Sequence, residues 1–130
     1  MSIFLLPKTL YKAINSDLAN FWWGYTDTKS KIHWNAWPKL CEAKSKGGIG
    51  FREFNTFNKA LLAKQCWRIL KNPNALWVKV LKGRYFPNSS FLSAKNGRRP
   101  SWGWNSLIAG RDTISNHAFW QINNGRLIDV

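Results

Sequence analysis

Apolar residues recur at spacings of three and four in four stretches of this 130-residue chain, and these stretches predict about four helices. The first runs from about Lys8 to Trp23, with Leu10, Ile14, Leu18, Phe21 and Trp22 as its stripe and Gly24 as a left-handed stop. The second has Asn55 as its candidate cap and Phe57, Ala60, Leu61, Cys66, Ile69 and Leu70 as its apolar face; Asn72-Pro73 ends it. A third covers roughly Ala75 to Tyr85, striped by Trp77, Val80, Leu81 and Tyr85. A fourth is capped by Ser101 and places Trp104, Leu107 and Ile108 on one face. Between the first two, Lys31–Trp37 fits either a short strand or a helical turn, because Ile32 and Trp34 alternate but Trp37 does not. Phe119–Ile128 reads as a β-hairpin turning at Asn124-Gly125. The expected fold is mainly α: one small helical domain over residues 1–130 with a C-terminal β-hairpin. The second hairpin strand stops at Val130 and the chain opens as if in mid-domain, so truncation at both ends is expected.

Composition sharpens the picture. Hydrophobic residues make up 45% of the chain and aromatic residues 15%, including nine Trp, which is far too apolar for a disordered chain. Twenty Lys and Arg against six Asp and Glu give a formal charge of +14. A balance of that sign attracts polyanions and leaves few carboxylates for catalysis. Cys41 and Cys66 are too few for a disulfide framework, and no apolar run approaches the length of a membrane span. The compartment stays open between nucleus and mitochondrion, as does the oligomeric state.

Candidate chemistry is sparse. Lys46-Gly-Gly-Ile-Gly50 could in principle cradle a phosphate, but it lacks the following Lys-Ser/Thr and the later ribose-binding acid, so a structural turn is expected. His33, Cys41, Cys66 and His117 are spaced too widely for a compact zinc module. Asp17, Asp27, Glu42, Glu53, Asp112 and Asp129 are isolated, whereas magnesium-dependent phosphoryl transfer needs convergent carboxylates. No catalytic residue, metal, cofactor or small-molecule substrate is expected.

The basic stretch carries the functional signal. Between Glu53 and Asp112 there is no acid, but there are eleven bases. A solvated face normally mixes signs. Cations interleaved with aromatics suit single-stranded or hybrid nucleic acid, charges on phosphates and rings on bases. For Trp22, Trp67 and Trp77, at helical spacing among apolar neighbours, a core position is the favoured reading. Trp102 and Trp104, beside Arg98-Arg99-Pro100, are open between core and surface. The expected phosphate contacts are Lys64, Arg68 and Lys71 on the second helix, Lys79, Lys82 and Arg84 on the third, and Arg98, Arg99 and Arg111 beyond.

Eight motifs then occur in a familiar order. They are Leu6-Pro-Lys-Thr-Leu10 with Phe21-Trp-Trp-Gly24, Lys31-Ile-His-Trp34 with Trp37-Pro-Lys-Leu-Cys41, Gly47-Gly-Ile-Gly-Phe-Arg52, and Phe57–Gln65. Arg84-Tyr-Phe-Pro87, Arg99-Pro-Ser-Trp102, Ala109-Gly-Arg-Asp112 and Trp120-Gln-Ile-Asn-Asn-Gly125 follow. Together they resemble the region after the polymerase palm in plant non-LTR (LINE-type) retrotransposon reverse transcriptases, and similar short plant reading frames occur, one of them mitochondrial. The resemblance spans essentially the whole chain. It implies a thumb-like connector that grips template–primer through the nucleic-acid backbone. The family's paired palm aspartates lie upstream, and its zinc-binding segment and ribonuclease H carboxylates downstream; none is in this chain.

The resulting expectation is a non-catalytic remnant of a reverse transcriptase that binds RNA, DNA or hybrid without sequence preference. A scaffold docking on a protein through exposed aromatics, or a decayed reading frame with no selected function, is the alternative. A membrane partner is not expected, since the cations spread over several elements.

Overall fold

The computed structural model describes residues 2–24, 26 and 31–118. In chain order it contains α1 (Lys8–Trp22), α2 (Trp37–Cys41), a 3-10 turn (Lys44–Lys46), α3 (Phe54–Lys71), α4 (Leu76–Tyr85) and α5 (Trp102–Ser115). α3 and α5 form the central pair, and α1 packs against α3 and α2.

The expected fold class is corrected. The described residues are helical, with five α-helices instead of about four and no β-strand. The hairpin expected over Phe119–Ile128 lies outside the described residues. In the ambiguous segment neither reading holds over residues 31–36, which are in no helix or strand, and only its last residue, Trp37, enters α2. Pro38 stands at the helix start, where its fixed φ suits the first turn and its missing N–H costs nothing. The strand alternative fails because Ile32 and Trp34 are both exposed, so their alternation faces no sheet partner.

Residue periodicity located the helices better than it located their buried faces. On α1 the buried positions are Tyr11 and Ala19, with Ile14 and Leu18 half-buried between them, whereas Phe21 is 83% exposed. The stripe is rotated because the chain before α1 also needs covering. Backbone N–H of Leu6 and the Tyr11 hydroxyl both donate to Asn58 Oδ1, while Asn58 Nδ2 donates to Phe4 O. The N–H of Leu5 donates to Ser106 Oγ on α5. Asn58 and Ser106 are fully buried, and they latch the N-terminal strap across α3 and α5.

On α3 the buried face is Asn58, Leu62, Cys66 and Ile69, at spacings of four, four and three. Its cap is Glu53 and not Asn55. The Glu53 carboxylate accepts from the backbone N–H groups of Asn55 and Thr56 and from the Thr56 hydroxyl. Burial pushes its pKa upward, but these hydrogen bonds and nearby Lys59 outweigh that and hold it below the usual range. Ser101 caps α5 as expected, accepting from the N–H of Trp104.

The main core joins Cys66 and Ile69 to Val78 of α4, Phe86, Phe91 and Ala94 of the following loop, and Trp104, Leu107 and Ile114 of α5. α3 and α5 approach closely at Gly110. A Cβ there would lie 2.8 Å from both the carbonyl carbon and the Cβ of Leu62, and 2.9 Å from the Ala63 nitrogen. Gly110→Ala therefore sets two effects against each other: helix propensity favours alanine by about 1 kcal/mol, but overpacking costs about 1–3 kcal/mol. The obstructing atoms are largely backbone, so packing wins. Thermal melting should show a lower midpoint for Gly110→Ala, and a raised midpoint would mean that the two helices can separate freely.

Candidate functional site

The glycine loop takes no part in a phosphate cradle. Its amides are already committed: Gly48 N donates to Ala43 O, Ile49 N to Leu40 O, and Gly50 N to Leu40 O and Glu42 O. Gly47 and Gly50 adopt positive φ, and a Cβ on Gly48 would overlap the Glu42 carbonyl. It is a tight structural turn. Among the described residues no three His, Cys, Asp or Glu side chains converge as metal ligands. Cys66 is a packed thiol: its Sγ donates to Leu107 O, and burial pushes its pKa up to about 12. No helix among the described residues is long and apolar enough to cross a membrane.

The expected cations divide into three groups. Lys64, Arg68 and Lys71 stand at i, i+4 and i+7 of α3, which places them on one side of the helix. Burial of Leu62, Cys66 and Ile69 against the core turns that side to solvent, and all three cations are exposed. Arg68 donates to Gln65 Oε1 at 3.0 Å, and its guanidinium lies 5.9 Å from the centroid of Trp77 on α4. Lys71 Nζ lies 5.6 Å from the Trp67 ring. On α4, Lys79, Lys82 and Arg84 are exposed, with the Arg84 guanidinium 5.5 Å from the Tyr85 ring. The Arg68–Trp77 contact brings one cation of α3 beside an exposed ring of α4.

Arg98 and Arg99 are exposed on the loop entering α5. Ser101 and Gly103, just beyond them, line the same groove as Arg68 and Trp77. Arg111 differs from the other eight. Its side chain is 17% exposed, it donates to Ala94 O, and its other terminal nitrogen lies 3.6 Å from Asp112. That is the only ion pair among the described residues. Arg111 thus ties α5 to the preceding loop.

Trp22, Trp67 and Trp77, favoured for the core on spacing, are instead 46%, 49% and 38% exposed. The reason is angular: on α3 the face turned to α5 is centred on Leu62, Cys66 and Ile69, so Trp67 falls a hundred degrees beyond Cys66. The i, i+4 relation of Trp67 to Lys71 was the available signal for its outward position. Trp104 takes the core place, at 1% exposure. Trp67 and Lys71 line a groove of about 600 Å³ that reaches Ile114, and Trp77 and Arg68 line one of about 720 Å³ between α3, α4 and α5. Neither groove has an acidic lining residue.

The chain is 45% identical over 126 residues to a protein of Arabidopsis thaliana named as an uncharacterised mitochondrial protein, covering 96% of this chain and 82% of that one. It is 35% identical over 135 residues to a second Arabidopsis protein, whose name is "Putative ribonuclease H protein". That alignment covers 98% of this chain but only 21% of the relative, so the chain spans about a fifth of the longer protein. No protein-family model matches the chain, and no solved structure does. Given the identity to the first relative and its coverage of both chains, this chain belongs to the family of that plant mitochondrial protein.

Proposed function

We propose that the chain is a non-catalytic, retrotransposon-derived segment of the LINE reverse transcriptase type that binds nucleic acid without sequence preference. The observation that carries this reading is the exposed cation surface of α3 and α4. Its lysines and arginines have no carboxylate partner among the described residues, and the chain has no acid between Glu53 and Asp112. Charge left unpaired on a folded surface is available to phosphate. The ordered motifs support the polymerase origin, and the longer relative's name supports a retrotransposon-related context. The ribonuclease H of that name stays with the longer protein, of which this chain matches a fifth.

The test is the salt dependence of binding. Six phosphate contacts on duplex DNA would give a log–log slope of about −5, at about 0.9 per phosphate. Replacing Lys64, Arg68 and Lys71 together with Ala should flatten the slope by about 2.7 for every sequence alike. Arg98→Ala with Arg99→Ala should flatten it further. An unchanged slope in either variant would remove those residues from the interface. A second reading, a docking scaffold, is favoured by the exposure of Leu76, Val80 and Trp102. It predicts instead a partner protein whose binding survives high salt.

A further inference from the structure

We infer that the α3–α4 surface takes single-stranded nucleic acid in preference to duplex, with bases stacking on Trp67 and Trp77. The inference rests on the nucleic-acid reading above and adds the strand class. Two large rings that spacing would bury are exposed on the cation surface, and each has a charge poised over it, at 5.6 Å for Lys71–Trp67 and 5.9 Å for Arg68–Trp77. A nucleotide carries a flat π face and an anion one sugar apart, so each ring–cation pair matches one nucleotide. On binding, the base takes the ring face and the cation swings from the ring to the phosphate. The cation–π contact holds both groups in place beforehand, which lowers the ordering cost.

The strand class follows from access. In a duplex both faces of each base are covered by its neighbours, so a tryptophan can stack only at an end or by forcing a step open. A single strand offers every face. The apolar grooves beside the rings, lined by Leu76, Val80, Leu70 and Leu92, can shelter the base edge, and neither has an acidic lining residue to repel the phosphate. An acidic peptide would satisfy the charge, but it gains nothing from a cation placed over a ring face.

The experiment uses the full chain with fluorescein-labelled oligodeoxythymidylate, oligouridylate and a mixed-sequence duplex of equal length, followed by anisotropy across a salt series. The single strands should bind more tightly than the duplex and quench tryptophan emission. Trp67→Ala and Trp77→Ala should each weaken single-strand binding roughly tenfold, leaving the salt slope and duplex binding unchanged. Trp67→Phe and Trp77→Phe should retain most of the affinity. Phe21→Ala, an exposed aromatic on α1 that lines neither groove, should change nothing. Circular dichroism confirms that each variant is folded; Trp67 and Trp77 are both exposed enough for folding to survive. Equal affinity for duplex and single strand, or unaltered binding by both alanine variants, overturns the inference alone, whereas equal binding of an oligoglutamate overturns the nucleic-acid reading with it. Loss of all salt-dependent binding to either nucleic acid would instead overturn the nucleic-acid reading itself.

Discussion

Trp104→Ala should cost the chain about 3–5 kcal/mol of stability, the usual result of deleting a large buried aromatic. Trp104 is the hub of the core. Tyr85 stacks on it at 4.4 Å between ring centroids, Phe86 at 5.7 Å, and Phe91 meets it edge-on at 6.0 Å. These contacts bind α4, the loop after it and α5 into one unit, so the cavity left by alanine would loosen all three. A domain of this size holds only about 5–15 kcal/mol in total, and the loss should show as a large fall in the chemical-denaturation midpoint. Trp104→Phe separates packing from polarity. The indole Nε1 is buried with no acceptor among the described residues. An unmet buried donor costs about 1–3 kcal/mol. Phenylalanine keeps a ring and removes that donor, so it should lose much less than alanine. Equal losses for both variants would show that indole volume, not the ring stack, sustains the core.

Asn58→Ala should be the second most damaging single change, at about 2–4 kcal/mol from several buried groups losing partners at once. Asn58 has no solvent exposure. Its Oδ1 accepts from Leu6 N and the Tyr11 hydroxyl, and its Nδ2 donates to Phe4 O. Alanine would leave these groups stranded, and α1 and the strap before it would lose their hold on α3. A tyrosine hydroxyl is already protonated at neutral pH, and burial pushes that of Tyr11 further up, so it remains a donor. The expected signature is local as well as global: the amides of Leu5 and Leu6 should exchange faster in Asn58→Ala while those of α5 remain protected. Uniform loss of protection would mean that the strap and the central helix pair unfold together.

The helices at Lys8–Trp22, Phe54–Lys71 and Leu76–Tyr85 were legible in the chain because their spacing, Pro73 and Gly24 act locally. Ser101 as a cap was legible for the same reason. The acid-free basic stretch was legible too, since charge needs no fold to be counted. Lys31–Trp37 stays open between strand and helical turn on periodicity alone, because so short a segment holds too little of it, and the short helix at Trp37–Cys41 shares only Trp37 with that segment. Local spacing points to Asn55 as the cap where the structure uses Glu53, because only the backbone path shows which side chain curls back.

What tertiary structure alone decided was which face of each helix turns inward. Trp67 and Trp104 are the same residue type among similar neighbours, yet one is half exposed and the other buried. Periodicity defines a stripe only to within one residue of rotation, about a hundred degrees. That rotation is settled by distant partners: Gly110 admits Leu62, Asn58 takes the strap, and Trp104 fills the space between α4 and α5. The sequence by itself determined a basic helical chain and the residues that carry its charge. Packing decided which tryptophans are left beside those charges.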